Sequence, residues 1–257
     1  MIRIQEKTEV WGTVVFVDAT STHLSEKSLR TAIDDVRTFT HHVDEVFSTY
    51  KPDSVVSKLR RGDMKIEDCS PEVIEVWNAC AHAQYLSDGA FDPWKVTGGF
   101  DPSGYVKGWA ADICADMLVE AGAAHVQVNA AGDIALRGGF REGDLVKPWS
   151  IGVVNPENRL EVLQVFSITD GAIATSGTYE RGAHINDPYT GMIAIGAESA
   201  TVIGPDGGLT DALATALMVS GEDGAVWFSQ PELSEYSAWV INRNEKTSWA
   251  LGPVITN

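Results

Sequence analysis

Positive charge is scarce in this chain of 257 residues. Lys and Arg number 19 against 36 Asp and Glu, for a formal net charge of −17. That argues against a nucleic-acid partner, whose phosphates are held through Lys and Arg contacts. It leaves room for a small phosphate-bearing ligand, because a metal ion or a helix N-terminus supplies positive potential locally. Cysteine is scarce as well. Cys69, Cys80 and Cys114 are an odd number with no CxxC among them, so neither a disulfide framework nor a zinc site is expected. The opening stretch MIRIQEKTEVWGTVVFV lacks a basic segment followed by an apolar core, so it is not a signal peptide. No run approaches the roughly 18 apolar residues of a membrane span. As written, the chain reads as soluble and cytoplasmic; an exported protein trimmed of its leader would look the same. GxxxxGK(S/T), GxGxxG and GxSxG are absent too, which removes the P-loop, the dinucleotide fingerprint and the hydrolase elbow.

What is present is an ordinary globular mixture, 44% hydrophobic and 21% charged. Trp11–Val17 is β-branched and aromatic and reads as a strand. Leu24–Phe47 carries apolar residues at helical spacing (Leu29, Ile33, Val36, Val43, Phe47). His41 and His42 lie inside it as adjacent residues, which do not share a helix face and make a poor metal pair. Phe47–Gly62 reads as a polar loop. Ser70-Pro71-Glu72 starts a helix that runs to about Leu86 and stops at Asp88-Gly89. Phe91–Gly104 is loop, and a helix from about Tyr105 stops at Gly122. HVQVNAAGDIALRGG reads as two strand pieces around a small-residue kink. Trp149–Val154, Val162–Ile168, Gly171–Thr175 and Ala197–Ile203 read as further strands, then a helix over Leu209–Ser220, then a terminal hairpin in SAWVINR and TSWALG. Strands come in runs and not in βαβ alternation. The expectation is an α+β fold with a largely antiparallel sheet and flanking helices.

Four stretches hold candidate chemistry. In LTDALATAL, Asp211 and Thr215 are four apart, hence on one helix face. One reading has Asp211 in the first helical turn complementing the dipole, with the Thr215 hydroxyl returned to a backbone carbonyl. The other makes them oxygen ligands of a hard cation such as Mg²⁺. In ATSGTYERGAHINDPYTG, Thr175, Ser176 and Gly177 end an apolar strand where backbone N–H groups can approach a phosphate. His184 follows, either a structural loop residue or a proton carrier. In DPSGYVKGWAAD, Gly104 and Gly108 bracket Lys107 at a helix start, a generic anion site. VNAAGD puts Asn129 and Asp133 around three small residues, which implies close approach of a strand or a ligand.

Taken in order, these stretches resemble the ApbE family of FAD:protein FMN transferases. WGT and FSTYKPDS begin the resemblance, followed by SDGAFDP, DPSGYVKGWAAD, VNAAGD, TSGTYER with HINDPYTG, and TDALATAL, from about residue 11 to 220. Each stretch alone is weak; the ordered set is specific. The resemblance implies one flavin transferase domain over 1–257, with Mg²⁺ held by Asp211, Thr215 and the Gly104 carbonyl. It implies FAD as substrate, with Tyr50, Ser54, Lys107, Thr175, Ser176 and Gly177 as its binding residues, backbone N–H groups around Thr175–Gly177 on phosphate oxygens and Tyr50 stacking on the flavin ring. It implies a target flavoprotein with a D-x-x-(S/T)-G-A-(S/T) acceptor sequence, whose hydroxyl takes FMN with release of AMP. His184 or Asp211 would take the acceptor proton. Some members hydrolyse FAD to FMN and AMP instead, and a flavin-binding protein without turnover is the rival from another class. Many members also carry a longer insertion where only Glu180-Arg181-Gly182-Ala183 stands here, which leaves the choice of target open.

Overall fold

The computed structural model describes residues 1–177, 185–243 and 247–254. The chain opens with two strands, β1 (Ile2–Val10) and β2 (Thr13–Ser21), joined by a two-residue turn. Trp11 and Gly12 both have positive φ, 59° and 69°, the pairing that a tight hairpin needs. The expected strand from Trp11 is therefore corrected: Trp11 is the turn, and a whole strand precedes it. Ile2, Ile4 and Val10 share the inward face of β1, but Glu6 and Thr8 interrupt the alternation that would have marked it.

Helix α1 (Glu26–Phe47) follows, with the Ser25 hydroxyl accepting the Ser28 N–H. The stretch read as a polar loop contains a second helix, α2 (Val55–Arg61), capped by Ser54 and ended by Gly62 in the left-handed region. Its polarity is that of an outer face; Val56 is fully buried. Helix α3 (Pro71–Leu86) starts at the expected Ser-Pro, although the Ser70 hydroxyl contacts Glu72 and not the backbone. Helix α4 (Ser103–Glu120) leads into β3 (His125–Ala130) and β4 (Asp133–Arg137). Two small hairpins follow, β5 (Phe140–Glu142) with β6 (Leu145–Lys147), and β7 (Trp149–Val154) with β8 (Val162–Ile168). The chain ends with β9 (Gly171–Gly177), β10 (Ser199–Gly204), helix α5 (Gly207–Ser220), β11 (Ser237–Ile241) and β12 (Ser248–Leu251).

Among the described residues, eight strands form one sheet in the order β1-β2-β3-β4-β9-β10-β11-β12, every neighbouring pair antiparallel. The α+β expectation holds. The two faces differ in residue size. Ile134, Leu136, Ile173 and Ile203 point to the side closed by Trp149, Val153, Phe166 and Ile168 of the β7–β8 hairpin. Ala135, Ala172, Ala174, Ala200 and Val202, one or three positions away along the same strands, point to the other side, by the two-residue period of a strand. Small side chains there let α4 and α5 lie close on the sheet. Helix α5 is buried almost all round, as a helix between sheet and outer helices must be. Its polar residues need a reason to be there.

Candidate active site

Helices α4 and α5 cross at backbone distance. A Cβ on Gly108 would run into the Gly207 carbonyl, and one on Gly208 into the Tyr105 ring. Glycine is needed at this crossing because no side chain fits between the helices. The close approach brings Lys107 of α4 beside Asp211 of α5: Lys107 Nζ donates to Asp211 Oδ2 at 3.1 Å and also to Asp133 Oδ2. Asp133 enters from the β3–β4 turn, where Ala131 and Gly132 both take positive φ and the Gly132 N–H donates to the Asn129 side chain at 2.9 Å. Both carboxylates are buried, 3% and 2% exposed. Burial opposes the Lys107 charge, but Asp133 and Asp211 outweigh it and hold the ammonium above its usual pKa range.

Asp211 is the fifth residue of α5, after the N-cap Asp206. The reading of Asp211 as a first-turn partner of the helix dipole is therefore corrected, since that effect fades within one turn. One turn further, Thr215 Oγ1 lies 3.4 Å from Ser176 Oγ on β9. Gly104 faces the same point; a Cβ there would sit 3.1 Å from Thr215 Oγ1 and 3.3 Å from the Phe91 ring. The backbone of α4 departs from helical geometry at Gly104, with φ −85° and ψ 16°.

These residues line one cavity of about 180 Å³: Gly104, Lys107, Asp133, Ser176, Asp211 and Thr215, with Thr175 and Gly177 along β9. The Thr175 hydroxyl itself is bonded to Thr201 at 2.9 Å. The far wall is the loop that begins at Asp92, whose carboxylate accepts the Trp94 and Lys95 N–H groups at 3.0 and 3.1 Å. Arg60 of α2 braces that loop, donating to the Thr97 carbonyl at 2.7 Å, and Trp77, Trp94 and Phe100 pack behind it with ring centroids 4.5 to 5.5 Å apart.

A second cavity, about 590 Å³, opens alongside and shares Ser103 and Lys107 with the first. Trp11, Val43, Phe47 and Val106 form its apolar wall, and Tyr50 stands at its rim, 94% exposed. So Gly104, Lys107, Thr175, Ser176, Gly177, Asp211 and Thr215 come together, and Tyr50 joins them through the neighbouring cavity. Ser54 does not line either cavity; it is 2% exposed, caps α2 and donates to the Ser48 carbonyl at 2.5 Å. His184 lies outside the described residues. His42 bonds Glu72 at 2.9 Å, away from the site. The motifs VNAAGD and SDGAFDP contain Asp133 and Asp92 but assign them no role; the tertiary fold does, as the partner of Lys107 and the brace of the loop after Phe91.

Among the described residues, no three His, Cys, Asp or Glu side chains gather as a metal cage. The oxygen set at hand is of another kind: the Asp211 carboxylate, the Thr215 hydroxyl and the backbone at Gly104. Hard donors of this sort fit a hard cation that also takes waters and substrate phosphates. The Lys107 ammonium between two carboxylates shows that the spot favours positive charge.

The sequence profile of the ApbE family matches residues 11–97 and 95–239. The chain belongs to the ApbE family. Relatives named FAD:protein FMN transferase include one from Vibrio cholerae, 38% identical over 133 residues, which is 48% of this chain and 39% of that protein. Another from Rhodobacter capsulatus is 30% identical over 191 residues, 71% of this chain and 33% of that protein. These matches span well under half the length of the relatives. Among solved structures, the flavin transferase ApbE from Vibrio cholerae superposes with a TM-score of 0.82 at 21% identity, over 97% of this chain and 96% of that one. The ApbE protein from Thermotoga maritima gives 0.82 at 23% identity, over 96% of each. At that identity the superpositions establish the ApbE fold. No helix among the described residues is long and apolar enough to cross a membrane.

Proposed function

We propose that the protein transfers the FMN half of FAD to a Ser or Thr hydroxyl of a target flavoprotein, releasing AMP. The observation that carries this is the pair of adjoining cavities meeting at Lys107. In the smaller one Asp211, Thr215, Ser176 and Lys107 converge; the larger one has a wall of Trp11, Val43, Phe47 and Val106, with Tyr50 at its rim. A dinucleotide with a flavin at one end and a pyrophosphate in its middle matches that division.

Asp211, Thr215 and the Gly104 carbonyl would hold Mg²⁺, which when bound neutralises charge on the phosphoryl oxygens. Lys107 and the backbone N–H groups of Thr175–Gly177 would hold phosphate oxygens in line for attack. The acceptor oxygen bonds to the phosphorus of the FMN half. The bond from that phosphorus to the bridging oxygen breaks, and AMP leaves with the bridging oxygen. The acceptor proton goes to His184 or Asp211. Tyr50 would stack on the isoalloxazine.

The test is to incubate the protein with FAD and Mg²⁺, with and without a flavoprotein domain bearing a D-x-x-(S/T)-G-A-(S/T) sequence, and to follow AMP, FMN and the acceptor's mass. AMP together with an FMN-sized mass gain on the acceptor is the expected result. AMP with free FMN regardless of acceptor would make the protein an FAD pyrophosphatase. FAD that stays bound and intact would make it a flavin-binding protein.

A further inference from the structure

Helix α5 starts on a carboxylate that α4 supplies. The Gly207 N–H donates to Asp112 Oδ2, and Arg137 Nη2 of β4 donates to Asp112 Oδ1 at 3.0 Å. Arg137 is itself anchored, by Nε to Asp116 at 2.8 Å and by Nη1 to the Leu136 carbonyl at 3.0 Å and the Gly171 carbonyl at 3.4 Å. One network therefore ties α4, β4, β9 and the first residue of α5. Asp206 caps the same helix end, accepting the Leu209 N–H at 2.7 Å.

Asp112 lies one turn after Gly108, so both occupy the face of α4 that meets Gly207. Gly108 and Gly207 touch backbone to backbone. Lys107 is the neighbour of Gly108, and Asp211 is one turn after Gly207. A slide or tilt at the crossing would move Asp211 and Thr215 away from Lys107 and Gly104. Burial pushes the Asp112 carboxyl up, and the Gly207 N–H and Arg137 only partly offset it.

We propose that Asp112 is a positioning residue: it sets the Asp211–Thr215 face of α5 against Lys107 and Gly104, and Arg137 holds its carboxylate in place. The metal arm of the test rests on the function proposed above; the geometric arm does not.

Asp112→Ala and Asp112→Asn are compared with the unchanged protein by three measurements without FAD. These are thermal melting, Mn²⁺ affinity by electron paramagnetic resonance, and the rate of Lys107 acetylation by an N-succinimidyl ester followed by mass spectrometry. Removing an outer partner of a metal site weakens metal binding about 10- to 100-fold. We expect Asp112→Ala to melt cooperatively, to bind Mn²⁺ weaker by that factor and to acetylate Lys107 about tenfold faster. Asp112→Asn, whose amide oxygen still accepts the Gly207 N–H, should recover much of both losses. A folded Asp112→Ala with unchanged Mn²⁺ affinity and unchanged Lys107 labelling would overturn the proposal. If Asp112→Ala fails to fold, Arg137→Met decides: faster Lys107 labelling supports the proposal and an unchanged rate overturns it. A wild-type protein that binds no Mn²⁺ would instead count against the metal site, while the labelling arm still decides on Asp112.

Discussion

Lys107 and Asp211 are 104 positions apart in the chain, and the ammonium of one lies 3.1 Å from the carboxylate of the other. With Asp133 the pair forms a buried cluster of two acids and one base. Taking the base away should be costly, because two buried carboxylates then face each other across its place. Lys107→Met should lose about 3 kcal/mol in the presence of a chelator. Saturating Mg²⁺ or Mn²⁺ should return much of that loss, since a ligand bound only by the folded state stabilises it. Urea unfolding with and without the cation checks this. A variant as stable as wild type in chelator would mean that the cluster is not electrostatically coupled.

Asp211→Asn keeps the shape of the side chain and an oxygen, and Lys107 retains Asp133. The fold should therefore survive with a loss of about 1–2 kcal/mol. If the proposed transfer runs at this site, turnover of FAD should fall by about 10²–10³, the size of loss that removing one preorganised electrostatic partner of a transition state brings. Steady-state AMP release with varied Mg²⁺ is the measurement. Unchanged dependence on Mg²⁺ would remove Asp211 from the metal site.

The site was largely legible in the sequence because its residues sit at positions where local rules leave something unexplained. Asp211 and Thr215 interrupt an otherwise apolar helix, and Gly104 and Gly108 interrupt another. Lys107 was visible as a cation near an anion site, but its partners were not. The Lys107–Asp133 contact joins residues 26 apart through the sheet, and no local pattern encodes it. Ser54 shows the opposite case. It lies in a motif of the family, yet in this fold its hydroxyl caps α2, a helix that Ser57, Lys58, Arg60 and Arg61 disguised as loop. Strand β1 was hidden for a similar reason: Glu6 and Thr8 break its inward face, and the Trp11-Gly12 turn lacks the usual Asn or Asp signal.

Tyr50 is exposed at the rim of the larger cavity, so its removal should leave the fold within about 0.5 kcal/mol of wild type. If it stacks on the flavin ring, Tyr50→Ala should weaken FAD binding by about 0.5–1.5 kcal/mol, a few-fold to tenfold in affinity. Flavin fluorescence titration reads this directly. Equal affinity would take Tyr50 out of the flavin site.

The crossing of α4 and α5 should tolerate no added methyl. Gly108→Ala would place its Cβ inside the contact distance of the Gly207 carbonyl, and neither backbone can move without disturbing the sheet side of its helix. Such overpacking costs about 1–3 kcal/mol or more. The same change should also slow AMP release, because the helices that carry Lys107 and Asp211 are pushed apart. A Gly108→Ala protein with wild-type melting and turnover would show that the crossing can relax freely.

The three thiols should separate by burial. Cys80 and Cys114 are fully buried, and burial pushes the Cys114 thiol up to about 12. Only thiolate reacts at useful rates, so at pH 8 a disulfide reagent should modify Cys69 in the native protein and reach Cys80 and Cys114 only after denaturation. The sign for stability follows. In the unfolded chain Cys114 loses its proton near the ordinary thiol value of about 8.5, while in the folded chain it keeps it. The unfolded state is therefore favoured progressively as pH rises from that value toward 12, and the contribution is absent below it. Replacing Cys114 with Ala should flatten this alkaline loss at the cost of about 1 kcal/mol for the lost packing. Urea midpoints for both proteins across pH 8 to 11 test the sign: if wild type and Cys114→Ala fall in parallel, the Cys114 thiol is not what burial makes resistant to ionisation.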